Sequence, residues 1–129
     1  MQREKTVFIV DDDLAILRSL KRLLNVYGYV AEVFDSAEAF CATANPQNGL
    51  CLVLDINLNG TNGIDLRRQL TRSGSSLPVI FVTANDSDSV RRAAIESGCV
   101  AYLRKPFSAG SLVDAIGKAT VTPQQRLAS

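Results

Sequence analysis

Three aspartates, a threonine and a lysine stand where this sequence can do chemistry. Asp11 and Asp12 follow the run Thr6-Val-Phe-Ile-Val10. Asp55 follows Leu50-Cys-Leu-Val-Leu54, Thr83 closes Pro78-Val-Ile-Phe-Val82, and Lys105 follows Val100-Ala-Tyr-Leu-Arg104. Three carboxylates held together repel one another strongly, so such a cluster needs a cation. Ligands that are all oxygen suit a hard ion, Mg2+ or Mn2+. The chain of 129 residues contains no histidine. That excludes a Ser-His-Asp or Cys-His site and any histidine-ligated metal. Carboxylates, lysines, arginines, tyrosines and thiols are the ionisable groups that remain. Cys41, Cys51 and Cys99 are odd in number, far apart and without metal-ligand spacing. They read as buried thiols in a reducing cytoplasm.

Taken singly, each of these residues has a plainer reading. A lone aspartate after a strand is usually a helix cap or a turn former, and Asp13 fits that description better than Asp11 or Asp12. Thr83 alone would cap a turn, Lys105 alone would be solvated, and Tyr102 alone would be a half-buried packing residue. What raises the chemical reading is conjunction, because each group falls at the end of a strand.

The elements that must position them follow from periodicity. Five short apolar runs read as strands: 6–10, 30–34, 50–54, 78–83 and 100–104. Between the first two, Leu14, Leu17, Leu20, Leu24 and Tyr27 recur at helical spacing. Asp13 is placed to cap this helix and Gly28 to end it. Asp35-Ser36 with Glu38 starts a second helix, which runs to about Ala44 before Asn45-Pro46 breaks it. Ile64, Leu66 and Leu70 mark a third, and residues 87–96 a fourth that stops near Gly98. Residues 108–119 form a fifth.

Strand and helix alternate five times, which predicts an α/β fold: a doubly wound, five-stranded parallel sheet with helices on both faces. In such a sheet ligands bind beyond the carboxyl ends of the strands. Asp11, Asp12, Asp55, Thr83 and Lys105 would therefore share one crevice. The length suits a single domain over residues 1–119, with 120–129 a polar tail or the start of a linker. Net charge is +1, which gives no pull toward nucleic acid or membrane. No apolar run approaches the roughly 20 residues of a membrane span, and the charged amino end is not a signal peptide.

The sequence resembles the receiver domain of two-component response regulators, a CheY-like module. The matching pieces are Val10-Asp-Asp-Asp13, Leu54-Asp-Ile-Asn57 with Gly60 and Gly63, Val82-Thr-Ala84, and Tyr102-Leu-Arg-Lys-Pro-Phe107. The resemblance covers roughly residues 5 to 119, and the joint order and spacing of these pieces, each at a strand end, is specific. The resemblance implies a (βα)5 flavodoxin-like fold with strand order 2-1-3-4-5. It implies that Asp55 is the phosphoacceptor, forming an acyl phosphate. Asp12 would bind Mg2+ directly and Asp11 mainly through water, with Asp55 and the backbone carbonyl of Asn57 completing the set. Lys105 and Thr83 would contact the phosphoryl oxygens, and Thr83 and Tyr102 would carry the switch. Lys105-Pro106 matches the family's cis peptide.

The resemblance also implies surroundings. The donor would be a sensor histidine kinase or a phosphotransfer protein in the cytoplasm, consistent with the missing histidine here. The acceptor of the signal would be an output domain or effector, with a phosphorylation-linked homodimer as a further partner. The module would not be an enzyme beyond its own phosphotransfer and autodephosphorylation. Two departures stand out. Asn59 replaces the proline usual before Gly60, which leaves that loop less stiff. Residues 98–102 lack the paired acidic residues of receivers that dimerise through helix four, strand five and helix five.

Two other readings stay open on the sequence. One is a receiver-like interaction module that works without phosphorylation. The other is a small haloacid-dehalogenase-type phosphohydrolase, which also uses an aspartate after an apolar strand. That enzyme wants a second aspartate two positions on, and Asn57 cannot transfer a proton. A flavodoxin-like cofactor module fits less well, since the acidic loop after strand one would repel phosphate.

Overall fold

The computed structural model describes residues 6–45, 49–58 and 60–120. The order is β1 (Thr6–Val10), α1 (Leu14–Val26), β2 (Val30–Phe34), α2 (Ala37–Thr43), β3 (Cys51–Asp55), β4 (Asn57–Leu58), β5 (Thr61–Asn62), α3 (Gly63–Arg72), β6 (Val79–Thr83), α4 (Asp88–Glu96), β7 (Ala101–Arg104) and α5 (Ala109–Thr120). β4 and β5 form a two-stranded antiparallel hairpin. The other five strands make a parallel sheet in the order β2-β1-β3-β6-β7. Once the hairpin is set aside, this is the expected 2-1-3-4-5.

Every residue of the three central strands, β1, β3 and β6, is buried, while the edge strands β2 and β7 are only partly so. Side chains alternate across the sheet with period two, which sorts the core into two layers. Val7, Ile9, Cys51, Val53, Ile80 and Val82 face α1 and α5, where Leu17, Leu24, Leu112 and Ile116 cover them. Phe8, Leu52, Leu54 and Phe81 face α2, α3 and α4. There Phe8 meets Phe40 edge-on, with ring centroids 5.5 Å apart.

Burial and capping have separate tasks in α1. Leu17, Leu20 and Leu24 are buried, each contributing about 1.5–3 kcal/mol. The Asp13 carboxylate accepts from the N–H groups of Ala15 (2.9 Å) and Ile16 (3.3 Å), a cap worth about 1 kcal/mol. Packing therefore makes the helix and the cap fixes its first residue. Ser36, Asn62 and Ser87 cap α2, α3 and α4 in the same way. Gly28 and Gly98, which follow α1 and α4, have φ of +89° and +87°, the left-handed region open to glycine.

Several boundaries differ from expectation. β3 includes Asp55, because its pairing with β6 continues through Asp55 opposite Val82. β7 begins at Ala101 and α2 ends at Thr43, one residue inside their expected limits. Thr120 belongs to α5 rather than to a tail. The β4–β5 hairpin lies in what reads as plain loop; strands of two residues leave no periodicity to detect. Pro46, Asn59 and residues 121–129 lie outside the described residues. Cys41 is exposed, against the expectation of three buried thiols, because α2 buries its face at Ala37 and Phe40 instead. Cys51 is buried, and burial pushes its thiol up to about 12.

Gly63 shows how tightly the start of α3 is set against the site. Its N–H donates to Ile56 O at 2.8 Å. A Cβ there would run into the carbonyl oxygen of Asp55 and the Cα of Ile56, both backbone atoms. Gly117, in α5, has open space around it. Gly63→Ala is therefore expected to lower stability by about 1–3 kcal/mol through overpacking, and Gly117→Ala to raise it by about 0.4–1 kcal/mol. Urea midpoints with unchanged m-values check both signs.

Candidate functional site

The register of the sheet brings the chemical groups together. Val10 lies beside Leu54 across β1 and β3, so the residues that follow them, Asp11 and Asp55, are neighbours. Backbone bonds extend each strand end toward the site. Asp11 N–H donates to Phe34 O (3.1 Å), Ile56 N–H to Val82 O (3.0 Å), and Lys105 N–H to Thr83 O (2.8 Å). The Lys105–Pro106 peptide is cis, as expected.

Asp11, Asp12 and Asp55 each present a carboxylate oxygen, and these oxygens lie within 4.8 Å of one another. Asp11 and Asp55 are buried, at 1% and 5% exposure; Asp12 is partly open to solvent. Lys105 bridges the two buried carboxylates. Its Nζ donates to Asp11 Oδ2 at 2.9 Å and to Asp55 Oδ2 at 3.2 Å. The other oxygen of Asp55 accepts from Asn57 N–H at 3.1 Å, and the other oxygen of Asp11 from Asp13 N–H at 2.9 Å. Both carboxylates are thereby fixed in orientation.

Burial pushes the Asp55 carboxyl above the ordinary aspartate range. The Asn57 N–H opposes that rise, the Asp11 charge adds to it, and Lys105 opposes it again. Burial would lower Lys105, but the hydrogen bond to Asp11 and the charges of Asp55 and Asp11 hold it above the usual lysine value. One ammonium against three carboxylates leaves two negative charges uncompensated. The donor set is all oxygen, close-set and oriented, which fits a hard dication such as Mg2+. Asp11, Asp12 and Asp55 are the residues that could hold it.

Thr83 is fully buried and follows Val82, the residue paired with Asp55. Its hydroxyl donates to Asn85 O (3.2 Å) and accepts from Asn85 N–H (3.0 Å) and from the Asn57 side-chain amide (3.4 Å). Asn57 thus links Asp55, through its N–H, to Thr83, through its side chain, beyond the backbone-carbonyl role expected of it. Tyr102 is not at the cluster. It lies beside Phe81 in the β6–β7 pairing, and its hydroxyl donates to Asp86 Oδ1 at 3.0 Å. Asp86 escapes the sequence reading because an aspartate in a polar loop carries no spacing signal; only the folded β7 reveals its partner. A groove of about 540 Å³ opens beside Lys105, lined by Ile16, Leu20, Pro106 and Phe107. It is apolar, so it is not the place for an ion, which belongs among the carboxylates.

A doubly wound sheet with this acid–lysine cluster at its carboxyl edge defines a receiver-type module. Comparison with known proteins agrees. The family model for the response regulator receiver domain matches residues 7–117, and the chain belongs to that family. It is 35% identical over 125 residues to the response regulator protein TodT of Pseudomonas putida, covering 96% of this chain and 55% of that protein. It is 35% identical to nodulation protein W of Bradyrhizobium diazoefficiens, covering 93% and 53%. The crystal structure of FixJ-N superposes with a TM-score of 0.81 at 33% identity, covering 89% of this chain and 92% of that one. The response regulator StyR superposes with a TM-score of 0.82 at 38% identity, covering 95% and 63%. The chain spans about half the length of the curated relatives it matches. Receiver domains are signalling domains rather than classical enzymes, and they bind Mg2+ through an acidic pocket of this kind. Among the described residues no helix is long and apolar enough to cross a membrane.

The two uncompensated charges generate a prediction. Mg2+ is expected to raise the melting temperature of the unmodified protein; at about 100 times Kd the stabilisation is about 2.7 kcal/mol. Asp12→Ala is expected to abolish that rise and to stabilise the metal-free protein by relieving repulsion. Thermal unfolding with and without Mg2+ checks both; an undiminished response in the variant removes Asp12 from the ligand set.

Proposed function

We propose that this chain is the phosphoacceptor of a two-component phosphorelay, with Asp55 as the residue modified. The observation that carries the reading is the buried Asp55 carboxylate, oriented by Asn57 N–H and bridged by Lys105 to Asp11. A carboxylate oxygen of Asp55 attacks the phosphorus of a phosphohistidine on a donor protein. The O–P bond forms as the P–N bond breaks, and the imidazole departs. Asp11, Asp12, Asp55 and the Asn57 carbonyl would hold Mg2+, whose charge would neutralise the phosphoryl oxygens. Lys105 transfers its ammonium from the carboxylates to a phosphoryl oxygen, acting as a point charge. The donor is a sensor histidine kinase or phosphotransfer protein, and the setting is cytoplasmic. The module runs to the end of α5 at Thr120. The greater length of the relatives supports an output domain downstream. Loss of the phosphate by hydrolysis is slow to intermediate, because Asn57 and Asn85, the polar residues beside the site, cannot act as bases.

The signal leaves through Thr83. The acyl phosphate carries a charge of about −1.5 to −2 in place of −1, and its new oxygens reach toward Thr83. To answer them the Thr83 hydroxyl gives up its bonds to Asn85. The space it leaves admits the Tyr102 ring from the adjacent strand, and the face made by α4, β7 and α5 changes shape to select a partner. Moving such an equilibrium from 1:99 to 99:1 needs about 5.5 kcal/mol. One charge-assisted hydrogen bond supplies about 1.5–3 kcal/mol, so Lys105 and the metal must contribute the remainder.

Two outcomes test this. Incubation with acetyl phosphate and Mg2+ is expected to add one phosphate to wild type and none to Asp55→Asn, read by intact mass; equal labelling of both sinks the assignment. Thr83→Ala is expected to accept phosphate but to couple weakly. Amide shifts at Tyr102 and over residues 87–98 should then move far less than in wild type. A full response in Thr83→Ala would place the coupling elsewhere.

A further inference from the structure

Asp86 has no part in the phosphotransfer, yet it is the most heavily engaged side chain of the β6–α4 loop. Its side chain is 10% exposed, and three side chains from two elements meet on it. The Tyr102 hydroxyl, from β7, donates to Oδ1 at 3.0 Å. The Arg91 guanidinium, from α4, donates to Oδ2 at 2.6 Å. Arg104, at the end of β7, stands 3.9 Å from the same oxygen. Arg91 also lies over the Tyr102 ring, 5.5 Å from its centroid, within the range of a cation–π contact. Burial alone would raise the Asp86 carboxyl. The hydrogen bonds from Tyr102 and Arg91, with the charges of Arg91 and Arg104, outweigh burial and hold it below the usual aspartate range.

The loop joins this cluster to the site. Thr83 and Asp86 are the two ends of one four-residue segment. At one end the Thr83 hydroxyl is tied to both backbone groups of Asn85. At the other, Asp86 is tied to Tyr102 and, through Arg91, to the body of α4. Ser87, the next residue, caps α4. A Tyr102 ring that moves inward behind Thr83 must withdraw its hydroxyl from Asp86. We propose that Asp86 is a latch, a positioning residue that keeps Tyr102 outward and so sets how much of the unphosphorylated protein occupies the switched arrangement. The latch rests on the reading of Asp55 as phosphoacceptor and of the α4–β7–α5 face as output. It adds a specific consequence: the unmodified state is held by a polar contact at the surface end of the loop, as well as by the lack of a phosphate at the buried end.

The test uses the full chain with acetyl phosphate and Mg2+ as the probe, in wild type, Asp86→Ala, Asp86→Asn, Tyr102→Phe and the Asp86→Ala/Tyr102→Phe double variant. Asp86→Asn keeps an acceptor for the Tyr102 hydroxyl but loses the charge that holds Arg91, and it also guards against misfolding of the alanine variant. Without donor, amide resonances of residues 87–98 in Asp86→Ala and Tyr102→Phe are expected to lie part-way along the line from unmodified to phosphorylated wild type. Asp86→Asn is expected to lie between wild type and Asp86→Ala. Labelling of Asp55 is expected to run several-fold faster in Asp86→Ala. The double variant should match Asp86→Ala, since both changes remove one contact and are not additive. Wild-type resonance positions and wild-type labelling rates in both Asp86 variants overturn the latch. Failure of wild type itself to take label on Asp55 overturns the phosphoacceptor reading, and is seen before any variant is compared.

Discussion

The bridge from Lys105 to the buried carboxylates of Asp11 and Asp55 is the contact on which the site depends. Two carboxylates as enclosed as these would otherwise repel in a medium of low effective dielectric. The bridge links residues 94 and 50 positions apart in sequence, so no local structure could make it. Only the parallel register can, by ending β1, β3 and β7 at one edge of the sheet. In that sense the apolar strands are the scaffold and the charge cluster is what they are aligned to hold. The compensation is partial, since Asp12 adds a third carboxylate. The negative charge that remains is what makes the site receptive to a cation, and a cation bound there would lower the repulsion that a phosphoryl group meets.

From this cluster the structure offers a short chain of polar contacts leading outward. Asn57 touches Asp55 through its backbone and Thr83 through its side chain. Thr83 is fastened to Asn85, and Asp86, the next residue, holds Tyr102 and Arg91. Buried site and exposed α4–β7–α5 face are thus separated by one loop of a few residues. Each contact on it is a single hydrogen bond or ion pair. Contacts of this size can be exchanged when a phosphoryl group offers better partners, whereas the aliphatic layers behind them cannot. In the proposed switch the two apolar layers stay as they are while the loop between β6 and α4 exchanges its contacts.

Most of the fold was legible because it is written in periodicity. Val7 to Val10 and Cys51 to Leu54 are unbroken apolar runs, which only a strand covered on both faces explains. Leu17, Leu20 and Leu24 repeat at helical spacing and do form the buried stripe of α1. The caps at Asp13 and Ser36 were legible for the same reason, since each precedes an apolar helical pattern. The site was legible only as a conjunction: aspartates, threonine and lysine mean little singly, and gain meaning from falling at strand ends. What stayed hidden lacks a local signature. The hairpin of Asn57–Leu58 and Thr61–Asn62 is too short for a period. The exposure of Cys41 depends on how α2 rolls against the sheet. Asp86 finds Tyr102 across 16 residues of chain, and the side chain of Asn57 finds Thr83 across 26. Such pairings belong to the folded register and not to any stretch of sequence.

In the proposed cycle Lys105 compensates the carboxylates in the unmodified state and exchanges them for a phosphoryl group in the modified one. The most direct measurement is a crystal structure of the chain with Mn2+ and beryllofluoride, a phosphoryl mimic, with the anomalous signal of manganese locating the ion. Manganese is expected among Asp11, Asp12 and Asp55, with the mimic on Asp55 and both Lys105 Nζ and Thr83 Oγ1 on its fluorines. Manganese elsewhere, or Lys105 still bridging Asp11 and Asp55 beneath a bound mimic, would contradict it.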